Sequence, residues 1–161
     1  MRFFLIPIFL LFTTSSFADV MRVTILGSGT PRPDINRFSQ SILIEVDGEK
    51  LLFDAGRGSA IRLSQARVNI GDINNIFLTH LHSDHTLGIP DMIMTGWIYQ
   101  RNEVLNIYGP SGTKNFIDNI KLAFIEDIKI RVEAPESHSM RGLETNVTEI
   151  EEGVIFKKNN L

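Results

Sequence analysis

The chain contains no cysteine. That excludes disulfides, so packing or bound ions must hold the fold. It also excludes thiolate metal sites and leaves His, Asp and Glu as the candidate ligands. Cationic excess is absent as well. Sixteen Lys and Arg face nineteen Asp and Glu, for a net charge of −3, which counts against nucleic acid as a partner. Histidine is scarce, with four among 161 residues. Past the first dozen residues there is no apolar run near the ~20 residues that a membrane-spanning helix needs.

What is present begins with an N-terminal leader. Arg2 precedes an apolar run from Phe3 to Phe12, and a small, polar stretch ends in Ser16-Phe17-Ala18. The pattern is that of a secretory signal with cleavage after Ala18. The apolar run makes only about 15 Å of helix, too short for a hydrocarbon core of about 30 Å. Residues 1–18 are therefore expected to be a signal peptide and residues 19–161 the mature domain. An exported, periplasmic or secreted protein is implied, with no membrane span after cleavage.

Residues 20–27, rich in β-branched side chains and ending at glycine, predict a strand. Residues 28–40 predict a loop. "SILIEV" and "KLLFDA" flank Asp47-Gly48, a hairpin signal because both turn positions must tolerate positive φ. Ile61, Leu63, Ala66 and Val68 suggest a short helix, and "NNIFLT" a strand. Residues 86–100 read as helical with a break near Pro90, and "VLNIYG" as a strand. Trp97 and Tyr99 are placed on that helix's apolar face. Residues 111–132 carry a helical stripe that includes Phe116, Ile117, Ile120 and Phe124, with Ser111 as the N-cap. Then come a polar loop over 133–145 and two strands, "NVTEI" and "VIFKK", around Gly153. Asn159-Asn160 reads as a hairpin turn, so the chain is read as the front portion of a longer protein. "GSGT" at residues 27–30 offers backbone amides to an anion.

The chemistry concentrates in "THLHSDHTLG", residues 79–88, which holds three of the four histidines. His80 and His82, at i and i+2 beyond a strand, are expected to point the same way. Asp84 and His85 fall in the first turn of a helix. Neutral imidazole and carboxylate suit zinc, and imidazole also suits iron. Two backbone geometries in one short segment can serve two neighbouring ions. The fourth histidine, His138, is read as a surface residue, and Glu133, Glu136 and Glu144 as solvated.

His80, His82, Asp84 and His85 match the HxHxDH signature, and with it the sequence resembles the metallo-β-lactamase-fold hydrolases. "VTILGSGTPRP", "LLFDAGRG" and "YGPSGT" are similar to the ribonuclease Z and arylsulfatase-type branch of that family. The resemblance spans residues 22–157. It implies an α/β fold, an αββα sandwich, of which this chain supplies the N-terminal half or slightly more. It implies a metal-dependent hydrolase with up to two zinc ions or another divalent metal. His80 and His82 would serve the first ion, and Asp84 and His85 the second. Asp84 would also act catalytically on protons, and Asp54 would brace the metal-binding loop. The family's later ligands are not matched, so each ion would find two ligands here. The chain alone is then expected to be inactive, completed by a missing C-terminal half or a homodimer.

The resulting reading is an exported hydrolase in which metal-bound hydroxide attacks a small-molecule substrate that is an ester, sulfate ester or phosphodiester. The alternatives are a ribonuclease Z-like tRNA 3′-processing endonuclease and a non-catalytic metal-binding remnant.

Overall fold

The computed structural model describes residues 20–133 and 138–157. The leader, Glu136 and the Asn159-Asn160 turn lie outside the described residues.

Six strands form one sheet in chain order: β1 (Arg22–Gly27), β2 (Ser41–Val46), β3 (Glu49–Phe53), β4 (Asn75–Phe77), β5 (Leu105–Gly109) and β6 (Thr145–Glu149). β1, β2 and β3 are antiparallel neighbours. From β3 onward the strands run parallel. The antiparallel pair β2–β3 closes through Asp47 and Gly48, with φ of 51° and 79°, the two-residue hairpin turn that the sequence signals. The parallel strands require crossovers. These are supplied by α1 (Ser59–Gln65), by α2 (Ser83–Thr86) with α3 (Ile89–Ile98), and by α4 (Thr113–Ala123) with α5 (Ile125–Glu133).

The helices pack on one face of the sheet. Leu43, Leu52, Ile76, Leu105 and Ile107 point from the strands into a core completed by Leu63, Met92, Ile93, Trp97 and Ile117. α4 and α5 bury one stripe each, whereas α3 is covered nearly all round, with only Asp91 exposed. The opposite sheet face is also apolar. Phe53 stacks on Phe77 and Phe77 on Tyr108, each pair 4.8 Å between centroids, and Phe156 meets Phe77 edge-on. Toward β1 this face opens to solvent, with Val23 56 % and Ile25 64 % exposed. A sandwich would lay its second sheet there, as the resemblance implies.

Several expected elements differ. The helix expected over 111–132 is two helices, divided at Phe124. Its N-cap is Gly112 in a left-handed conformation rather than Ser111, and glycine has no side chain to cap the helix with. Glu149 instead accepts hydrogen bonds from the backbone N–H groups of Gly112 and Lys114 at 2.9 and 3.0 Å. A carboxylate from β6 thus satisfies donors that a local cap ordinarily would. Pro90 sits in the first turn of α3, where its missing N–H costs nothing, so the break falls just before it. "VIFKK" does not join the sheet over its described residues 154–157. Phe156 uses its ring against Phe77 rather than its backbone in a ladder. Residues 140–143, expected to be loop, form a short 3-10 turn.

The glycines of "GSGT" have a packing role. Gly29 donates its N–H to the Phe38 carbonyl, and a Cβ on Gly27 would lie 1.9 Å from the Ser39 carbonyl oxygen. Close approach of two backbone segments explains them without an anion.

Candidate metal centre

The parallel strands β3, β4 and β5 end at one edge, the position where open α/β sheets gather ligands. Asp54 follows β3, Thr79 and His80 follow β4, and the residues after His82 turn into α2. β4 itself stops at Phe77, so His80 and His82 do not lie in a ladder. Their rings nonetheless sit 4.5 Å apart, and His80 lies 4.0 Å from His85. His82 keeps extended backbone angles (φ −65°, ψ 150°) at the N-cap of α2. Its carbonyl accepts the His85 N–H at 3.0 Å and the Thr86 hydroxyl at 3.0 Å. That turn swings Asp84 and His85 back toward the other two histidines.

Asp54 anchors the arrangement. It is 6 % exposed and holds φ at 56°, a left-handed conformation that Asp tolerates better than most residues. Its Oδ2 lies 2.7 Å from Nδ1 of His85. Its Oδ1 accepts the Thr79 N–H at 2.9 Å, and the Thr79 hydroxyl lies 3.0 and 2.9 Å from the two oxygens. With Nδ1 of His85 facing Asp54, Nε2 is the free nitrogen, and it lies 3.7 Å from Oδ2 of Asp84. Asp54 therefore orients the ring rather than merely making a turn.

Two glycines allow the close packing behind this cluster. A Cβ on Gly56 would meet the Asp84 carbonyl at 2.2 Å, and one on Gly88 would meet the Gly56 carbonyl at 2.4 Å. The β3–α1 and β4–α2 connections are thereby pressed together. Ala55 donates to the His85 carbonyl and Gly88 to the Ala55 carbonyl, at 2.9 and 2.8 Å.

The structure brings His80, His82, Asp84, His85 and Asp54 to one place. It leaves His138 elsewhere, packed on Trp97 at 5.4 Å near the far end of α3. Trp97 is buried, whereas Tyr99 is 61 % exposed rather than on an apolar helix face. Among the described residues, no three His, Asp or Glu side chains close into a ready metal cage. Thr79 was missed in the sequence, where an isolated threonine beside a histidine carries no signal of its own. Arg101 was missed too. It is 2 % exposed and donates to the carbonyls of Ile73, Met92, Ile93 and Gly142. Burial lowers its pKa to about 10.

Comparison with known proteins agrees with this architecture. The family model of the anti-Pycsar protein Apyc1 matches residues 21–123. The chain belongs to that family. It is 36 % identical over 134 residues to a ribonuclease Z of Methanosarcina mazei, covering 83 % of this chain and 41 % of that protein. A ribonuclease Z of Pyrococcus horikoshii is 39 % identical over 101 residues, covering 63 % and 33 %. Among solved structures, human tRNase Z, short form, aligns with a TM-score of 0.64 at 28 % identity, over 81 % of this chain and 44 % of that one. The metallo-β-lactamase fold protein YhfI from Bacillus subtilis aligns at 0.57 with 20 % identity, over 83 % and 48 %. The fold is that of the metallo-β-lactamase hydrolases, on the ribonuclease Z branch. The chain spans less than half the length of each of these proteins.

The relatives correct one expectation. Net charge had counted against nucleic acid as a partner, yet the matched proteins are named as ribonucleases. The physical reason is that net charge sums the whole surface. A phosphodiester meets only the local field, and bound metal would itself add positive charge there.

Proposed function

We propose that this chain forms part of a metal-dependent phosphodiester hydrolase that acts on RNA. The observation that carries the reading is the gathering of three imidazoles and a carboxylate at the sheet edge, with Asp54 bonded behind His85. This donor set fits zinc chemically. His80 and His82 would hold one ion, and Asp84 and His85 a second. When bound, the metal supplies Lewis acidity to the phosphodiester and to water. Asp54 keeps Nε2 of His85 turned outward, and the Asp84 carboxylate is placed to hold a proton near the reacting atoms. Two donors per ion is short of the three that catalytic zinc ordinarily takes, so turnover depends on donors beyond these four.

Nearby cations favour an anionic ester over a neutral one, and the ribonuclease Z relatives favour a phosphodiester among anionic esters. The loop after β1 carries exposed Arg32 and Arg37, and exposed Arg57 follows the Asp54 turn. Arg37 and Arg57 line one cavity of about 300 Å³ together with Phe38, which suits a phosphate beside a base. The decisive assay uses a zinc-loaded enzyme in which this chain is joined by the further donors, and offers it a 3′-extended tRNA and, separately, p-nitrophenyl esters and sulfates. Cleavage of the RNA, lost in Asp84→Ala, supports the proposal. Cleavage of esters or sulfates with the RNA left intact contradicts it.

Export remains a separate proposal, supported by the sequence of residues 1–18. N-terminal sequencing of the mature protein is expected to begin at Asp19. That result would also move its RNA outside the cytoplasm and away from tRNA maturation. A mature protein that retains Met1 contradicts export.

A further inference from the structure

Asp54 touches one histidine directly, but its influence extends to a second through Thr79. The Thr79 hydroxyl lies 3.0 and 2.9 Å from the two Asp54 oxygens and 3.1 Å from Nδ1 of His80. It stands 3.4 Å from Nδ1 of His85, which already has the shorter 2.7 Å contact to Asp54. A hydroxyl has one proton to donate and two lone pairs to accept with. The carboxylate is acceptor-only and attracts that proton more strongly than a neutral imidazole does. The hydroxyl is then left to accept from His80, which requires the proton of His80 to sit on Nδ1.

We propose that Thr79 is a positioning residue that relays the Asp54 carboxylate to His80, fixing the His80 tautomer so that both His80 and His85 present Nε2 to a metal. The inference rests on the proposed metal centre but not on any substrate. One buried carboxylate thus sets two rings, His85 by direct contact and His80 through a hydroxyl. The arrangement also explains why the Thr79 backbone N–H is tied to the same carboxylate at 2.9 Å. That bond fixes the backbone of Thr79, and the hydroxyl's own contacts to Asp54 fix its direction. A ligating histidine ordinarily gives its second N–H to such a partner, and loss of the partner weakens metal binding by roughly 10–100-fold.

The test has two readouts that need no turnover. Long-range 15N–1H spectra of the metal-free, full 161-residue chain report which nitrogen of His80 is protonated. The expected result is Nδ1–H in the unaltered protein and a mixture of tautomers in Thr79→Val. Zinc affinity by calorimetry is expected to fall by roughly 10–100-fold in Thr79→Val and to stay near the starting value in Thr79→Ser. Valine matches threonine in shape, and circular dichroism with melting confirms that each variant keeps its sheet. His80 found with its proton on Nε2 in the unaltered chain overturns the proposal, even if a variant fails to fold. So does Thr79→Val binding zinc as tightly as the original. Failure of the donor-complete enzyme to cleave RNA, alongside both expected results, would count against the substrate reading and leave this relay standing.

Discussion

Single side chains decide whether the sheet edge can function. Asp54→Asn preserves volume but replaces an acceptor-only group with an amide. The His85 ring then loses a charged partner, and zinc affinity is expected to drop by roughly 10–100-fold, measured by calorimetry against the unaltered chain. Arg101 works far from the site, tying four carbonyls from the β4 approach, α3 and the 3-10 turn before β6. Arg101→Met is expected to cost about 3 kcal/mol in urea unfolding, because carbonyls lose a charged donor inside the core. The sign of its pH dependence follows from its pKa. Burial lowers the value to about 10, so the folded state sheds this proton earlier than the unfolded state as pH rises. The burial penalty applies in full below that range and is relieved above it. At lower pH both states hold the proton, and the Arg101→Met cost should be flat between about pH 5 and 9. A cost that changes steeply within that window would mean that another titrating group is coupled to Arg101.

At the scale of elements, the connections carry as much as the strands. Glu149 on β6 caps α4 across the sheet, so Glu149→Ala is expected to destabilise by about 1 kcal/mol, with Glu149→Gln intermediate, read from melting curves. Gly56 lets the β3–α1 turn lie against α2. Gly56→Ala would push a methyl onto the Asp84 carbonyl, and its main effect should be weaker zinc binding. These features also mark what could be read from sequence. The Asp47-Gly48 turn, the six strands of the sheet and the break before Pro90 were legible because turn chemistry and apolar periodicity are local, whereas "VIFKK" read as a strand and is not one over residues 154–157. The cluster from His80 to His85 was legible because its spacing is itself the signal. The cap by Glu149, the carbonyl cluster around Arg101 and the hydroxyl of Thr79 depend on residues brought together from distant segments. Ser111 looked like a cap because a serine before a helical stripe usually is one. Here a carboxylate 37 residues away from Gly112 takes those donors instead.

Among the described residues, the molecule is one sheet with helices covering one face. The helix-covered face holds the core, and the other bears an aromatic stack that grades into exposed Val23 and Ile25. Apolar surface of this kind binds apolar probes. ANS fluorescence of the 161-residue chain is expected to be high and to fall in Ile25→Lys, while the melting temperature changes little. Equal fluorescence in both would place the dye elsewhere. Net charge is a poor guide at this scale, because it averages over local groups such as the exposed arginines of the β1–β2 loop. The proposed role of His80, His82, Asp84 and His85 is to gather metal at the edge of this sheet. Calorimetric titration of zinc into the purified chain puts that role to the test. Saturable binding that is lost in the His80→Ala/His85→Ala double variant, with the sheet intact, is the predicted result. No binding by the original chain, or binding that survives the double variant, would contradict it.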